Sequence, residues 1–459
     1  MTLIKSISGI RGTIGGKPGE GLSPVDVIKF TASYAAWLLK RNSGKRITVV
    51  NGRDARPSGE TINKLVTSTL TSMGIDVIEL GMATTPTVEI AVTSENADGG
   101  IIITASHNPV EWNALKLLDE NGEFLSDNDG KEILSIAEGS DYSFARYDEA
   151  GTVRRDSSYN KKHIEEIIKL PLVDVEGIRA ANFTVAVDCV NSVGGIILPD
   201  LLKELGVKNV IGVYTKPTGL FPHNPEPLPE NLGELTRVVK ENKADVGFVV
   251  DPDVDRLAIV SEDGRCFNEE YTLVACADYV LSKNKGNTVS NMSSTRALRD
   301  VTIKHGAEWF PSAVGEVNVV KMMKEKDAVI GGEGNGGIIY PPAHYGRDAL
   351  AGIALFLSML AERGKKCSQL RNEYPSYVIS KNRIELSPGM KPDEELEKIA
   401  AMFPERVVSR EDGVLLESAL GWVQVRKSNT EAILRVYSES TDAKKADELA
   451  VEIIKIVKK

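Results

Sequence analysis

The chain predicts three related α/β domains with mixed sheets and a smaller C-terminal α+β domain, arranged around a central cleft. Three observations carry that prediction. A glycine-closed helix followed by an apolar strand recurs three times, each recurrence then delivers a buried strand that stops in a polar loop, and the pattern changes after about Tyr374. The expected segments are 1–154, 155–256, 257–371 and 372–459.

At 459 residues the chain is too long for one ordinary core. An apolar content of 42% and an aromatic content of 6% describe a soluble globular protein. No segment approaches the roughly 20 apolar residues of a membrane span, and the first residues lack a signal-peptide core, so a cytoplasmic protein is expected. The net charge of −10 argues against a nucleic-acid partner but permits concentrated cationic pockets for small anions. Cys189, Cys266, Cys276 and Cys367 are far apart in the chain, which predicts reduced thiols rather than a zinc or redox centre.

In chain order, Arg11 comes first, set between Gly9 and Gly12 where backbone can approach an anion closely. A helix is expected over Pro24–Lys40 and a strand over Arg46–Asn51. The loop Gly52–Gly59 (GRDARPSG) either holds an anion or pairs Arg53 with Asp54 inside a structural turn. Gly74 then closes a helix and begins a strand that runs to Leu80. The same order returns at Phe183–Asp188 with Asn209–Tyr214, and again from Asn287 through Lys304-His-Gly.

Each repeat ends in a loop with chemical character. Ile101–Ile103 reads as a buried parallel strand, and Asn108-Pro109 turns the chain just past its carboxyl end, where α/β sheets bind ligands. Ser106 sits in that turn. A serine needs a base, a metal or prior phosphorylation to act as a nucleophile, and the alternative is a loop serine that merely caps the next element. Its neighbour His107 reads as a hydrogen-bonding scaffold, and Lys116, ten residues on, as a group that could return to the serine and move a proton. His163, His223, His305 and His344 show no partner spacing.

The second loop crowds Asp251, Asp253 and Asp255 into five residues after a buried strand, an arrangement that repels itself unless a cation is present. All-oxygen ligands point to Mg²⁺ before Ca²⁺. An EF-hand fails because Arg256 stands where its loop requires glycine, although Glu262 falls at the twelfth position. The third loop, Gly332–Gly337 (GEGNGG), matches the dinucleotide fingerprint formally, but Ile338–Pro342 cannot supply the helix that must follow. Glycines flanking Glu333 and Asn335 instead suit hydrogen bonding to a small polyhydroxylated ligand. In the last segment, a helix over Pro392–Met402 and hairpin strands around Gly421–Tyr437 surround Arg426–Thr430 (RKSNT), and Arg435 follows. Cationic and hydroxyl donors together suit a phosphate.

Thr104–Pro109 (TASHNP), Asp251–Arg256 (DPDVDR), Gly332–Gly337 and Arg426–Thr430, with Ser8–Gly12 (SGIRG) at the start, resemble in order and spacing the signature loops of the α-D-phosphohexomutases. The resemblance covers essentially the whole chain. It implies that Ser106 is carried as phosphoserine and that one Mg²⁺ is held by its phosphate and Asp251, Asp253 and Asp255. A hexose or hexosamine 1,6-bisphosphate would be the priming intermediate. Arg11, Lys116, Arg256 and His107 would serve the reacting phosphate. Arg426, Ser428, Asn429, Thr430 and Arg435 would grip the other one. Asn335 and the acid Glu316 after Val314-Gly are similar to the phosphoglucosamine mutase branch, so Glu316 and Glu333 would face an amino sugar. The neutral glucose and mannose phosphates are the alternative. Ala114 departs from the family, which usually has glycine there. Sugar phosphates are the expected partners, without nucleic acid or membrane, for a monomer or homodimer. Two rivals remain: a metal-dependent serine phosphatase using the same serine and acids, and a non-catalytic sugar-phosphate sensor.

Overall fold

The computed structural model describes residues 1–6, 9–387, 389–428 and 433–457. Two compact units divide the chain, Met1–Thr272 with Asn335–Ser368 and Leu273–Gly334 with Gln369–Lys459.

The first unit begins with β1 (Leu3–Ser6), β2 (Gly9–Thr13), α1 (Pro24–Arg41), β3 (Thr48–Arg53), α2 (Gly59–Ser72), β4 (Asp76–Met82), α3 (Thr85–Ser94), β5 (Gly99–Ile103), β6 (Trp112–Leu118), α4 (Asp127–Gly139) and β7 (Val153–Arg155). Its seven-stranded sheet runs β1-β2-β6-β5-β3-β4-β7. The β5, β3, β4 and β7 strands are parallel, whereas β1, β2 and β6 join antiparallel. Ser23 caps α1 through a reciprocal bond with Asp26, and Pro24 is already set for a first helical turn. The helices bury Phe30, Trp37, Leu38, Val66 and Leu70 against Val49, Val77, Ile101 and Ile103.

The unit continues with α5 (Tyr159–Ile167), α6 (Val175–Ala181), β8 (Thr184–Asp188), α7 (Gly194–Glu204), β9 (Asn209–Val213), α8 (Gly233–Glu241), β10 (Val246–Val250) and β11 (Leu257–Ser261). The sheet order is β11-β10-β8-β9, with only β11 antiparallel. Helix α9 (Glu270–Lys283) leads into the second unit, with β12 (Asn287–Asn291), α10 (Ala297–Lys304), β13 (Trp309–Ser312), α11 (Glu316–Glu325) and β14 (Ala328–Glu333); β13 and β14 flank β12 in parallel. The first unit resumes with β15 (Gly337–Ile339) and the buried helix α12 (Ala349–Arg363), after which α13 (Cys367–Arg371) returns the chain. The second unit closes with β16 (Val378–Glu385), α14 (Pro392–Met402), β17 (Val407–Ser409), β18 (Val414–Ser418), β19 (Gly421–Lys427), β20 (Ile433–Ser440) and α15 (Ala443–Val457). These strands form an antiparallel sheet ordered β16-β20-β19-β18-β17.

The three repeats expected from sequence share one topology. In each, a central strand (β3, β8, β12) is followed by a strand on one side (β4, β9, β13) and then by one on the other (β5, β10, β14). The chain therefore reverses direction of winding beside the central strand, and a crevice opens at the carboxyl ends of the first and third strands. Ser106, Asp251 and Glu333 all stand at the end of a third strand.

Among the strands that the sequence reading did not foresee, β2 and β6 bear on the site. Both β2 and β6 are short and mix polar with apolar residues, so neither shows a clear period; their pairing with β1 and β5 makes them strands. The thiols are free, as expected, with Cys189, Cys276 and Cys367 buried. Among the described residues no helix is long and apolar enough to cross a membrane.

Candidate active site

The turn after β5 holds Ser106 in a left-handed backbone conformation, φ 49°, uncommon for a residue with a side chain. That conformation is held from several directions. Thr104 Oγ1 accepts the Ser106 N–H at 3.0 Å, and Arg56 Nη2 donates to the carbonyls of Ser106 and Asn108 at 2.5 and 2.7 Å. Arg56 Nη1 also donates to the carbonyls of Pro109 and Trp112. The guanidinium is fully buried and pairs through Nε with Asp54 at 2.9 Å, while Asp54 also accepts from Thr104 Oγ1 at 2.7 Å. A planar donor with a fixed fork is the side chain suited to gathering this many carbonyls.

The loop after β3 is thus a brace for the serine turn. Asp54 pairs with Arg56 and not with Arg53, whose Nη1 reaches only the Asp54 carbonyl. The sequence placed the pair one partner off, because the bond that decides it depends on a turn fifty residues away.

Ser106 Oγ donates to Asp251 Oδ2 at 2.7 Å and lies 3.4 Å from His107 Nδ1. The first and second repeats therefore meet at the serine. Asp251, Asp253 and Asp255 are fully buried, and one ligand oxygen from each lies within 4.8 Å of the others. The loop carries its own strain: Val254, a β-branched residue, has φ 63°.

Partners hold these carboxylates on one side. Asp251 Oδ1 accepts from the N–H groups of Asp255 and Arg256, Asp253 Oδ2 from Lys116 Nζ and Thr85 Oγ1 at 2.7 Å each, and Asp255 Oδ2 from Arg347 Nη2 at 2.6 Å. Asp253 Oδ1 and Asp255 Oδ1 are buried without a hydrogen bond. Arg256 Nε is 3.8 Å from the latter. Burial and the neighbouring Asp255 and Asp253 push the Asp251 carboxyl well above its ordinary pKa. Three buried acids, two of them with an open oxygen, are a donor set that fits a hard divalent cation.

Sheet register delivers the cations. Arg11 on β2 lies opposite Ala114 on β6, so Lys116, two residues on, is on the same face. Arg11 Nη1 donates to Asn108 Oδ1 at 2.9 Å. Burial works against the Lys116 ammonium, but Asp253 and Asp255 outweigh it and hold its pKa above the ordinary value. Lys116 is therefore held in its charged form beside the two acids. Burial, then Arg256 and Arg11, push the His107 pKa well down, leaving a neutral ring suited to a scaffold. Glu226 Oε1 lies 3.9 Å from His107 Nε2 and 3.8 Å from Arg256 Nη1.

The histidines without legible partners have them in space. His163 bridges Thr87 and Asp348, His344 lies 3.3 Å from Glu89, His223 pairs with Asp188, and His305 with Asp278. None touches the serine. Thr85, Glu226 and Arg347 were not foreseen, since each reaches the site across a long stretch of sequence and belongs to no local motif, and Arg56 was seen only as part of the Gly52–Gly59 loop.

Asn335 in the first unit turns its Oδ1 back onto the Gly337 N–H at 3.1 Å. In the second unit Glu333 accepts from Asn291 Nδ2 at 2.7 Å and from the Gly315 N–H at 3.1 Å, so the end of the central strand again braces the loop after the third. Glu316 is the buried first residue of α11, beside that Gly315. Arg426 and Arg435 face each other across β19 and β20, and the Ser428 N–H closes the connection onto the Ile433 carbonyl. Asn429 and Thr430 lie outside the described residues.

Four family models match the chain in order: the phosphoglucomutase/phosphomannomutase alpha/beta/alpha domain I over 3–143, domain II over 161–264, domain III over 268–377, and the C-terminal domain over 383–456. The chain is similar to a phosphoglucomutase/phosphomannomutase of Thermococcus kodakarensis, 37% identical over 443 residues, covering 95% of this chain and 96% of the relative. It is also similar to a probable phosphoglucosamine mutase of Methanopyrus kandleri, 34% identical over 456 residues, covering 98% and 97%. A solved phosphoglucomutase/phosphomannomutase family protein from Burkholderia thailandensis shares the fold with a TM-score of 0.84 at 25% identity, covering 99% of this chain and 97% of that one.

Proposed function

Because the chain belongs to the phosphoglucomutase/phosphomannomutase family, we propose that it is a phosphohexomutase acting through a phosphoserine at Ser106, with glucosamine 6-phosphate and glucosamine 1-phosphate as preferred substrate and product. The observation that carries the reading is the 2.7 Å bond from Ser106 Oγ to Asp251 inside a buried carboxylate triad flanked by Lys116.

In the proposed reaction the phosphoryl group leaves Ser106 Oγ for the free hydroxyl of a sugar monophosphate. The P–O bond to serine breaks, a P–O bond to the sugar forms, and the proton lost by the sugar hydroxyl is balanced by the one Ser106 Oγ regains. The resulting 1,6-bisphosphate turns around and returns its other phosphoryl to Ser106. Asp251, Asp253 and Asp255 would hold Mg²⁺, which supplies divalent charge against the transferring group. Lys116, Arg11 and Arg256 add fixed positive charge without reorganising, and His107 supports the turn. Arg426, Ser428 and Arg435, with Asn429 and Thr430, grip the phosphate that is not reacting and so orient the sugar.

The amino-sugar preference is supported by the two acids Glu333 and Glu316, joined through Gly315, since a cationic sugar suits a pair of carboxylates. The similarity to the T. kodakarensis enzyme favours glucose and mannose phosphates as the second reading. The deciding measurement is kcat/KM for glucosamine 6-phosphate, glucose 1-phosphate and mannose 1-phosphate under identical Mg²⁺ and bisphosphate priming. A preference for the amino sugar supports the first reading, and a preference for the neutral hexoses replaces it with the second. Absence of turnover on all three overturns the mutase reading.

A further inference from the structure

Arg347 belongs to no motif, yet its guanidinium makes the shortest bond to the acidic triad. We propose that Arg347 is a positioning residue that fixes Asp255 for cation binding, and that position 337 is glycine so that the arginine can pass. The inference rests on reading the triad as a cation site.

Asp251 is steadied by its own loop, and Asp253 by Lys116 and Thr85. Asp255 depends on Arg347 Nη2, at 2.6 Å from Oδ2, with Lys116 Nζ farther off at 3.5 Å. Pinning Oδ2 leaves Oδ1, which has no hydrogen bond, as the oxygen available to a cation. A carboxylate not held in this way can rotate, and its share in a metal site falls.

The route of Arg347 explains a glycine. Arg347 bridges Ile339 antiparallel, and the Asp348 N–H donates to the Ile338 carbonyl at 2.8 Å. The arginine stem then runs over position 337, two residues before its partner on the same strand face. A Cβ at Gly337 would stand 2.3 Å from Arg347 Cδ and 3.0 Å from Cγ. Gly337 lies in a strand and is not among the residues with positive φ, so space rather than backbone freedom requires the glycine here. The aim of Arg347 is also fixed from behind. Asp348 caps α12, accepting from the N–H groups of Leu350 and Ala351, and meets His163 Nε2 at 3.0 Å, while the Ala349 N–H donates to the Val254 carbonyl of the metal loop.

Positions 337 and 347 should therefore behave as one element. Calorimetric titration of Mg²⁺ into the full chain, alone and as R347Q, R347K, G337A and the G337A/R347Q double variant, tests this, with thermal melting to confirm folding. R347Q and G337A are expected to weaken Mg²⁺ binding by about 10-fold, the lower end of what a ligand's hydrogen-bond partner contributes. The double variant should be no weaker than R347Q. Should R347Q fail to fold, G337A and R347K carry the test, because both keep a cation and must still lose affinity. Unchanged or tighter binding in the folded Arg347 variants overturns the role of Arg347. Losses that multiply in the double variant overturn its coupling to Gly337. If the unaltered protein binds no Mg²⁺, the cation-site reading falls, and this inference with it.

Discussion

The serine and acidic loops of the first unit and the arginine hairpin of the second both handle phosphate in the proposed function, but they arrange charge differently. Around Ser106 almost every charge already has its partner: Asp253 with Lys116, Asp255 with Arg347, Asp54 with Arg56. On the hairpin, Arg426 and Arg435 face each other across β19 and β20, and Arg426 Nε is buried without a hydrogen bond. Like charges directly opposite in a sheet are destabilising. The first region therefore pairs most of its charges within the fold, and in the proposed function the second receives the phosphate that is not reacting. The difference separates the parts that should control the chemical step from those that should control binding.

The largest expected effect breaks the comparison at its chemical end. S106A should reduce turnover on the order of 10⁶-fold, the scale on which deletion of a nucleophilic serine falls. Melting temperature and sugar-phosphate affinity should stay near those of the unaltered protein, because the turn is held by backbone carbonyls and Arg56 rather than by the hydroxyl. A large loss of affinity measured by calorimetry would mean that Ser106 belongs to the binding part. Next in size is the brace. R56M strands Asp54 in the interior and removes four donors from the serine turn, which predicts a loss of about 3–5 kcal/mol in stability, read from urea unfolding. An unchanged midpoint would show that the first region is not organised in advance by this pair.

Legibility from sequence divides along similar lines. The Ser106 turn and the Asp251–Asp255 loop could be read because strand, turn and acids are adjacent in the chain, and the thrice-repeated strand order could be read because each repeat carries the same punctuation. Arg56 and Arg347 could not. Arg56 gathers carbonyls about 50 residues away and Arg347 meets a carboxylate 92 residues away, and nothing in a buried arginine's neighbours announces such distant partners. The Arg53–Asp54 pairing erred by favouring adjacency, although the fully buried partner was two positions from the acid. Lys116 was read as a candidate proton shuttle, and in the structure it is paired with Asp253. Its approach to Asp253, 137 residues away, and to Asp255 could not be read from the chain.

A third test uses pH to sharpen the contrast inside the second unit. Glu439 accepts from Trp422 Nε1 at 2.9 Å and from the Arg296 N–H at 3.2 Å. Burial nevertheless pushes its carboxyl up to about 7, against the lowering effect of those hydrogen bonds. Below the ordinary carboxyl value, near 4.3, folded and unfolded chains are both protonated. Between there and about 7 the unfolded chain ionises first, so stability falls as pH rises and then levels off. E439Q should remove this component, worth at most about 4 kcal/mol, from the pH profile of unfolding. Identical profiles for both proteins would show that Glu439 is ionised in the fold.

The smallest effect decides whether the hairpin is the binding end. A hydrogen bond to a charged group contributes about 1.5–3 kcal/mol, so R426A should raise KM for the sugar phosphate by roughly 10- to 100-fold. If the hairpin only holds the idle phosphate, that contact is equal in ground and transition states, and kcat should change little. Removing one of two facing cations also relieves their repulsion, so the ligand-free variant should melt no lower than the unaltered protein and gain less stability when substrate is added. The paired signs matter more than either magnitude: a stable apo form with poorer substrate binding is the signature of a charge kept for an absent anion. A variant that melts lower while KM holds would make Arg426 a structural residue and leave the hairpin without its proposed role.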